Sequence, residues 1–250
     1  MTAPPTGPVP EDVRLCLLGG FDLSVRGHPL SVPEAARRLI SLLALRGASP
    51  RTTVAGMLWP EGDDGMALGR LRTTIWRANA SVRGLVVSRV GRLELAPWLV
   101  IDVHVLIARA SQVIAEGRVR PDDVDERDVA GIAAKELLPE WSDEWVVEER
   151  EYVRQIQLHA LEAMAAAFME KRWYSAALES AMRAVQMDPM RETAHRAVIL
   201  VHLAESNVAE ATRHYTKLRA LLQRELGVSP SPDLDALLDR AVGVRARAHA

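Results

Sequence analysis

A 34-residue offset places Glu170–Pro189 over Ala204–Gln223, so that Ala177 matches Ala211, Ala181 matches Tyr215 and Ala184 matches Leu218. A period of that length in a helical pattern is one helix–turn–helix unit. Such a unit cannot bury its own apolar face; it must stack on a neighbour, and about three units are needed for independent stability. The pair at 170–223 therefore has to be extended by the helices before it. Small residues at matched positions let paired helices approach closely.

Helical periodicity covers nearly everything from Ile101 onward, with helices expected at about 102–116, 126–137, 144–171, 174–187, 190–204, 208–225 and 233–242 and no convincing strand. The closing Pro189 of the first unit has Gln223 as its counterpart, a partial match to a tetratricopeptide-like array. The N-terminal third reads differently. Phe21, Leu23 and Val25 alternate with Asp22, Ser24 and Arg26, the period of a half-buried strand. Residues 13–19 and 29–32 read as its neighbours. Three helices follow. Glu34 to Leu45 carries Ala36, Leu39, Ile40 and Leu43 on one face; a shorter helix opens at Ser49-Pro50 and closes at Trp59-Pro60; a third runs from Met66 to about Val82. A hairpin over 85–96 has its tip near Gly91 and Arg92. The expected fold is mostly α: a winged helix-turn-helix at 13–96 (small sheet, three helices, wing hairpin), a linker at 97–100, and an all-α, tetratricopeptide-like domain at 101–243. Tails are expected at 1–12 and 244–250.

The net charge of −2 conceals an asymmetry. Residues 12–95 hold 12 Arg, no Lys and 7 acidic residues, a balance of +5, whereas the remainder carries −7. Such a split hints at nucleic-acid contact by the N-terminal part. Within the third helix, Leu68, Leu71, Ile75, Ala78 and Val82 read as the core face, and Arg70, Thr74, Arg77 and Ser81 as an outward one with Thr73 adjacent. Arginine bonds a guanine edge bidentately, and threonine offers a hydroxyl and a methyl. The candidate DNA-binding residues are therefore Arg70, Thr73, Thr74 and Arg77 for bases, Arg72 for phosphate, and Arg89 and Arg92 on the wing.

Other conspicuous residues read as structural. Cys16, the one cysteine, excludes an intramolecular disulfide and sits in an apolar run. Trp59 is expected in the core beside the short helix, Trp76 against a neighbouring element, and Trp141 and Trp145 wedging a helix onto the core of the second domain. His195, His202 and His214 lack a completing carboxylate, so no metal site is expected. The acidic run at 121–128 lacks the glycine and terminal glutamate of a calcium loop. Nucleophile-elbow, phosphate-loop, dinucleotide and zinc-protease patterns are all missing, so neither enzyme activity nor a cofactor is expected. The first twelve residues have no apolar core, and no apolar stretch approaches the roughly 18 residues of a membrane span. The expectation is a soluble, cytoplasmic chain with no membrane partner.

The stretches VRLCLLGGFDLSVRGHPL, RRLISLLALRGAS, AGMLWPEGDDGMALGRLRTTIWRA, LLPEWSDEWVVEEREYVRQIQLHALEA and ELGVSPSPDL, in this order, span about residues 13 to 240. Together they resemble the Streptomyces antibiotic regulatory protein family in its short form, a response-regulator-type winged helix joined to a bacterial transcriptional activator domain. The resemblance implies a transcriptional activator that binds double-stranded DNA at direct repeats near promoters. It further implies recruitment of RNA polymerase through its subunits, cooperative binding of two or more protomers, and placement beside secondary-metabolite genes. The recognition helix departs from the family habit at Gly69 and at Ala78-Asn79-Ala80-Ser81, where relatives often carry Leu and Arg. A second reading from the residues alone is a protein-interaction adaptor whose winged helix does not bind DNA. A third is a small-molecule sensor with a pocket inside the helical stack.

Overall fold

The computed structural model describes residues 12–115, 129, 131–133 and 135–247. The expected tail at 1–12, apart from Asp12, lies outside these residues, as do the acidic loop and positions 248–250. The chain divides into two compact units, Met1–Val105 with Lys135–Tyr152, and Leu106–Ala134 with Val153–Ala250.

In the first unit, strands β1 (Val13–Cys16), β2 (Asp22–Val25), β3 (His28–Pro29) and β7 (Val100–Ile101) form one sheet in the order β3-β2-β1-β7. The β1–β2 register pairs Val13 with Val25 and Leu15 with Leu23, which puts Val13, Leu15 and Leu23 on the buried face. Helices α1 (Glu34–Arg46), α2 (Arg51–Leu58) and α3 (Asp64–Ser81) follow. A second sheet, order β4-β6-β5, joins β4 (Ser49–Pro50) to the hairpin of β5 (Val86–Arg89) and β6 (Arg92–Leu95). This is the winged helix with its extra N-terminal sheet. Ser49-Pro50 is an edge strand here, not the first turn of α2; an edge position tolerates a proline that has no N–H to donate.

Two expectations about where the units meet along the chain need correction. Val100 and Ile101, read as linker and helix start, pair in parallel with Arg14 and Leu15. The register is held by Asp102 at the head of α4 (Asp102–Ala115), whose carboxylate accepts from the amides of Leu17 at 2.9 Å, Leu18 at 3.0 Å and Val103 at 2.7 Å. A two-residue strand has too little alternation to be read from a sequence. The helix expected to reach residue 137 stops earlier. Of its described residues Val129, Gly131 and Ile132 are helical, whereas Leu137 bridges to Leu18. Residues 135–152 thus pack within the first unit. Arg150 holds their loop by donating to the carbonyls of Leu137, Leu138 and Trp141. Trp141 stacks on Phe21 with ring centroids 6.4 Å apart and meets buried Trp145 edge-on, so this tryptophan pair serves the first unit and not the core of the second.

The second unit contains the later parts of α4 and α5 (Glu144–Glu170), then α6 (Tyr174–Met187), α7 (Glu192–Ala204), α8 (Val208–Leu226) and α9 (Pro232–Arg247). Helices α6 and α8 begin 34 residues apart, and the turns before them repeat a left-handed residue at the same interval, Arg172 (φ 60°) and Ser206 (φ 62°). Ala177, Ala181, Ala184, Ala211 and Leu218 are fully buried and Tyr215 partly so, as the internal repeat requires. Ion pairs and hydrogen bonds register successive helices. Glu162 on α5 takes Arg191 on two atoms (2.7 and 3.1 Å), and its carboxylate also accepts from Thr193. Glu192 accepts from the amide of Ser231 at 2.7 Å, and Tyr215 donates to Asp235. Helix α9 continues to Arg247, through part of the expected tail at 244–250. Among the described residues no helix is long and apolar enough to cross a membrane, and no group of three or more His, Cys, Asp or Glu is placed to hold a metal ion.

Candidate nucleic-acid interface

Helix α3 begins behind Asp63 and Asp64, whose charge suits a helix N-terminus. Ala67, Leu71, Thr74 and Ala78 are its buried positions, at steps of four, three and four, and they dock it on the unit's core. The opposite side, Met66, Gly69, Arg70, Arg72, Thr73, Trp76, Arg77 and Ala80, is exposed. The guanidinium groups of Arg70, Arg72 and Arg77 make no hydrogen bond or ion pair among the described residues and are available to a ligand. Six arginines and no acidic residue lie between Gly65 and Leu93. The surface is a one-sign cationic strip on a rigid helix, the electrostatic form a phosphate-lined groove demands.

Two assignments change. Thr74, expected to face outward beside Arg70 and Arg77, is 4% exposed; its hydroxyl donates to the carbonyl of Arg70 at 2.9 Å and its methyl packs inward. The hydroxyl is satisfied within the helix, which is how a threonine can occupy a core stripe. The core face is accordingly rotated from the one that Leu68 and Ile75 suggested; both are only partly buried. Trp76, expected to pack on a neighbour, is 70% exposed in the middle of the cationic face. Thr73 is exposed as expected, with its hydroxyl 3.4 Å from the carbonyl of Gly69. Trp59 is partly buried at the end of α2.

In the last turn of α3, the side chain of Asn79 clamps the wing: its Oδ1 accepts from the amide of Val86 at 2.9 Å, and its Nδ2 donates to the carbonyl of the same residue at 3.0 Å. The hairpin turns at Val90 (φ 48°) and Gly91 (φ 76°), one residue earlier than expected, because a two-residue turn of this hand needs positive φ at both central positions. Arg89 and Arg92 are exposed on the wing, and each already has a protein partner. Arg89 lies 3.1 Å from Glu94, and Arg92 donates to the carbonyl of Ala48. Arg83, between helix and wing, is exposed with no partner among the described residues; no periodicity marks it, since it stands outside both elements. Met66 and Trp76 are the other surface residues that hydrophobicity alone assigned elsewhere or passed over.

Residues 130–241 match the family described as bacterial transcriptional activator domain. No curated protein matches the chain. Among solved structures it is similar to Mycobacterium tuberculosis EmbR in complex with low affinity phosphopeptide, with a TM-score of 0.73 and 18% identity over 92% of this chain. The match spans 65% of that chain's length. At this identity the likeness is one of fold, and it extends over both units of this chain. Residues 130–241 are thus similar to bacterial transcriptional activator domains, and the chain shares its fold with that structure.

Proposed function

We propose that the chain is a transcriptional activator that binds double-stranded DNA through α3 and its wing and meets RNA polymerase through its helical unit. The observation that carries the reading is the exposed face of α3, where the guanidinium groups of Arg70, Arg72 and Arg77 stand without partners among the described residues, on a helix free of acidic residues after Asp64. A recognition helix enters the major groove, where arginine discriminates guanine bidentately and threonine reaches bases or phosphates. Arg70, Thr73 and Arg77 are the base-reading candidates and Arg72 the phosphate contact; Arg89 and Arg92 lie on the wing, suited to backbone or minor groove. Thr74 is withdrawn from the set. The bacterial transcriptional activator domain supports the activator part of the reading. Binding of two protomers at direct repeats, near genes of secondary metabolism, completes the proposal.

Selection of duplexes by the immobilised full chain, followed by gel-shift titration at two salt concentrations, tests it. Arg77→Ala is expected to lose about 1–3 kcal/mol and to relax sequence preference. Arg92→Ala is expected to weaken all sequences alike and to flatten the salt dependence. Unchanged affinity in both variants removes the assignment, and a chain that recovers no duplex while binding protein partners is an adaptor.

A further inference from the structure

The face of α3 that carries the arginines also carries an indole. Trp76 is 70% exposed, one helical turn beyond Arg72 and Thr73 and next to Arg77. A solvated tryptophan at the centre of a cationic strip is an unfilled contact, since the ring is a large apolar surface with a single polar atom, the Nε1–H donor. The charge around it selects the occupant. The guanidinium groups of Arg70, Arg72 and Arg77 are exposed without partners among the described residues, and the helix offers no acidic residue beyond its first turn, so the surface suits a polyanion and repels a basic protein face.

Within the major groove the base edges differ in what they offer an indole. Cytosine presents an amino donor, which meets the Nε1–H donor badly. Guanine presents two acceptors and adenine an acceptor and a donor, and neither has an apolar group there. Thymine alone sets a methyl beside an acceptor, C5-methyl and O4, matching an apolar ring edge with one N–H. Gly69, on the same side of the helix, has open space where a Cβ would stand, so the backbone one to two turns earlier can come close to the duplex.

We propose that Trp76 is a specificity-determining residue that reads the methyl edge of a thymine in the DNA site. The proposal rests on the reading that α3 enters the major groove. It makes the site more than a pattern of guanines for arginine: a thymine is required opposite the middle of the helix, within reach of the bases that Arg72, Thr73 and Arg77 can touch.

Deoxyuridine differs from thymidine only by the missing C5-methyl group. Duplexes are first recovered from a random pool with the full chain, and each thymine of the recovered site is then replaced singly by deoxyuridine. The wild-type chain is expected to bind one substituted duplex per protomer site about four-fold more weakly, the size of one buried methyl group. Trp76→Ala is expected to bind the thymine and deoxyuridine duplexes equally; its exposure predicts an unperturbed fold, checked by circular dichroism. Trp76→Leu, which keeps an apolar side chain, is expected to retain part of the discrimination. Indifference of the wild type to every replacement overturns the proposal while leaving DNA binding intact. Discrimination that survives in Trp76→Ala also overturns it and shifts the contact to another side chain, with Thr73 nearest. Failure to recover any duplex removes the DNA-binding reading and this proposal with it.

Discussion

Asn79 and Val86 exchange two hydrogen bonds, the amide group of one side chain standing in for a neighbouring strand on one residue's backbone. The last turns of α3 and the first residue of the wing are thereby fixed to each other. Asn79→Ala removes both bonds and leaves the amide and carbonyl of Val86 without that partner. The expected loss is about 2–3 kcal/mol in the stability of the first unit. Urea denaturation measures it, and hydrogen exchange at Val86 should quicken. An unchanged exchange rate would show that the clamp does not hold the wing.

Val90 occupies the left-handed region at the wing tip with its side chain fully in solvent. A β-branched residue there is strained and gains no burial in return. Val90→Asn is expected to stabilise the hairpin by about 1 kcal/mol, because asparagine accepts this conformation. A melting curve of the two proteins decides; a lower melting temperature in the variant contradicts the strain.

The burial of Thr74 separates it from its neighbours on α3. Thr74→Val retains shape but loses the hydroxyl, and the freed Arg70 carbonyl keeps its ordinary helical setting. Stability is expected to change by less than about 1 kcal/mol and affinity for any recovered duplex not at all. Thr73→Val, at the exposed position, is expected to alter sequence preference. Parallel gel shifts distinguish the two threonines; equal effects would mean that α3 turns or opens on DNA.

In the second unit, the Nε2–H of His195 donates to the carbonyl of Pro189 at 2.8 Å, so its Nδ1 accepts from His214 at 2.9 Å. Burial disfavours the charged form of both rings. Burial lowers His195, opposed by the Pro189 bond and the charges of Asp188 and Glu192. Burial, then repulsion from His195, His202 and Lys217, lowers His214 to about 4. The unfolded chain takes up a proton near the usual 6.5, the folded one only near 4, so between these values acid favours unfolding. The stabilisation is complete above 6.5 and is lost as pH falls toward 4. His214→Gln, which keeps a donor for His195 without a titrating ring, is expected to flatten that slope. Urea midpoints at pH 7 and pH 4.5 measure it, and an identical slope in the variant assigns the acid response elsewhere.

Glu162 holds Arg191 on two atoms while both are about four-fifths buried. Glu162→Ala leaves a guanidinium without its main counter-charge between α5 and α7. A loss of about 2–3 kcal/mol is expected, less than for a fully dry pair because solvent still screens it. Glu162→Gln, which keeps one acceptor, should recover part of the loss; thermal unfolding of the three proteins measures both.

Elements with several periods of a pattern are legible in the chain itself. The helices at 34–46, 174–187 and 208–226 repeat their apolar contacts often enough to be recognised, and the 34-residue echo between the last two requires their stacking. The strip of arginines without acids belongs to the same class, since charge is a property of composition. Where one residue had to be assigned to a face, the sequence was less informative. Thr74 satisfies its hydroxyl within the helix and so can face inward, and Trp76 stays outside because no described element of the first unit covers it. Val100-Ile101 and Ser49-Pro50 become strands only because Leu15 and Leu93 lie beside them. Local preference and hydrophobic period are written along the chain and determined the two architectures. The rotation of α3, the placement of 135–152 in the first unit and the exposure of the indole depend on partners far apart in sequence, so only packing in three dimensions could decide them.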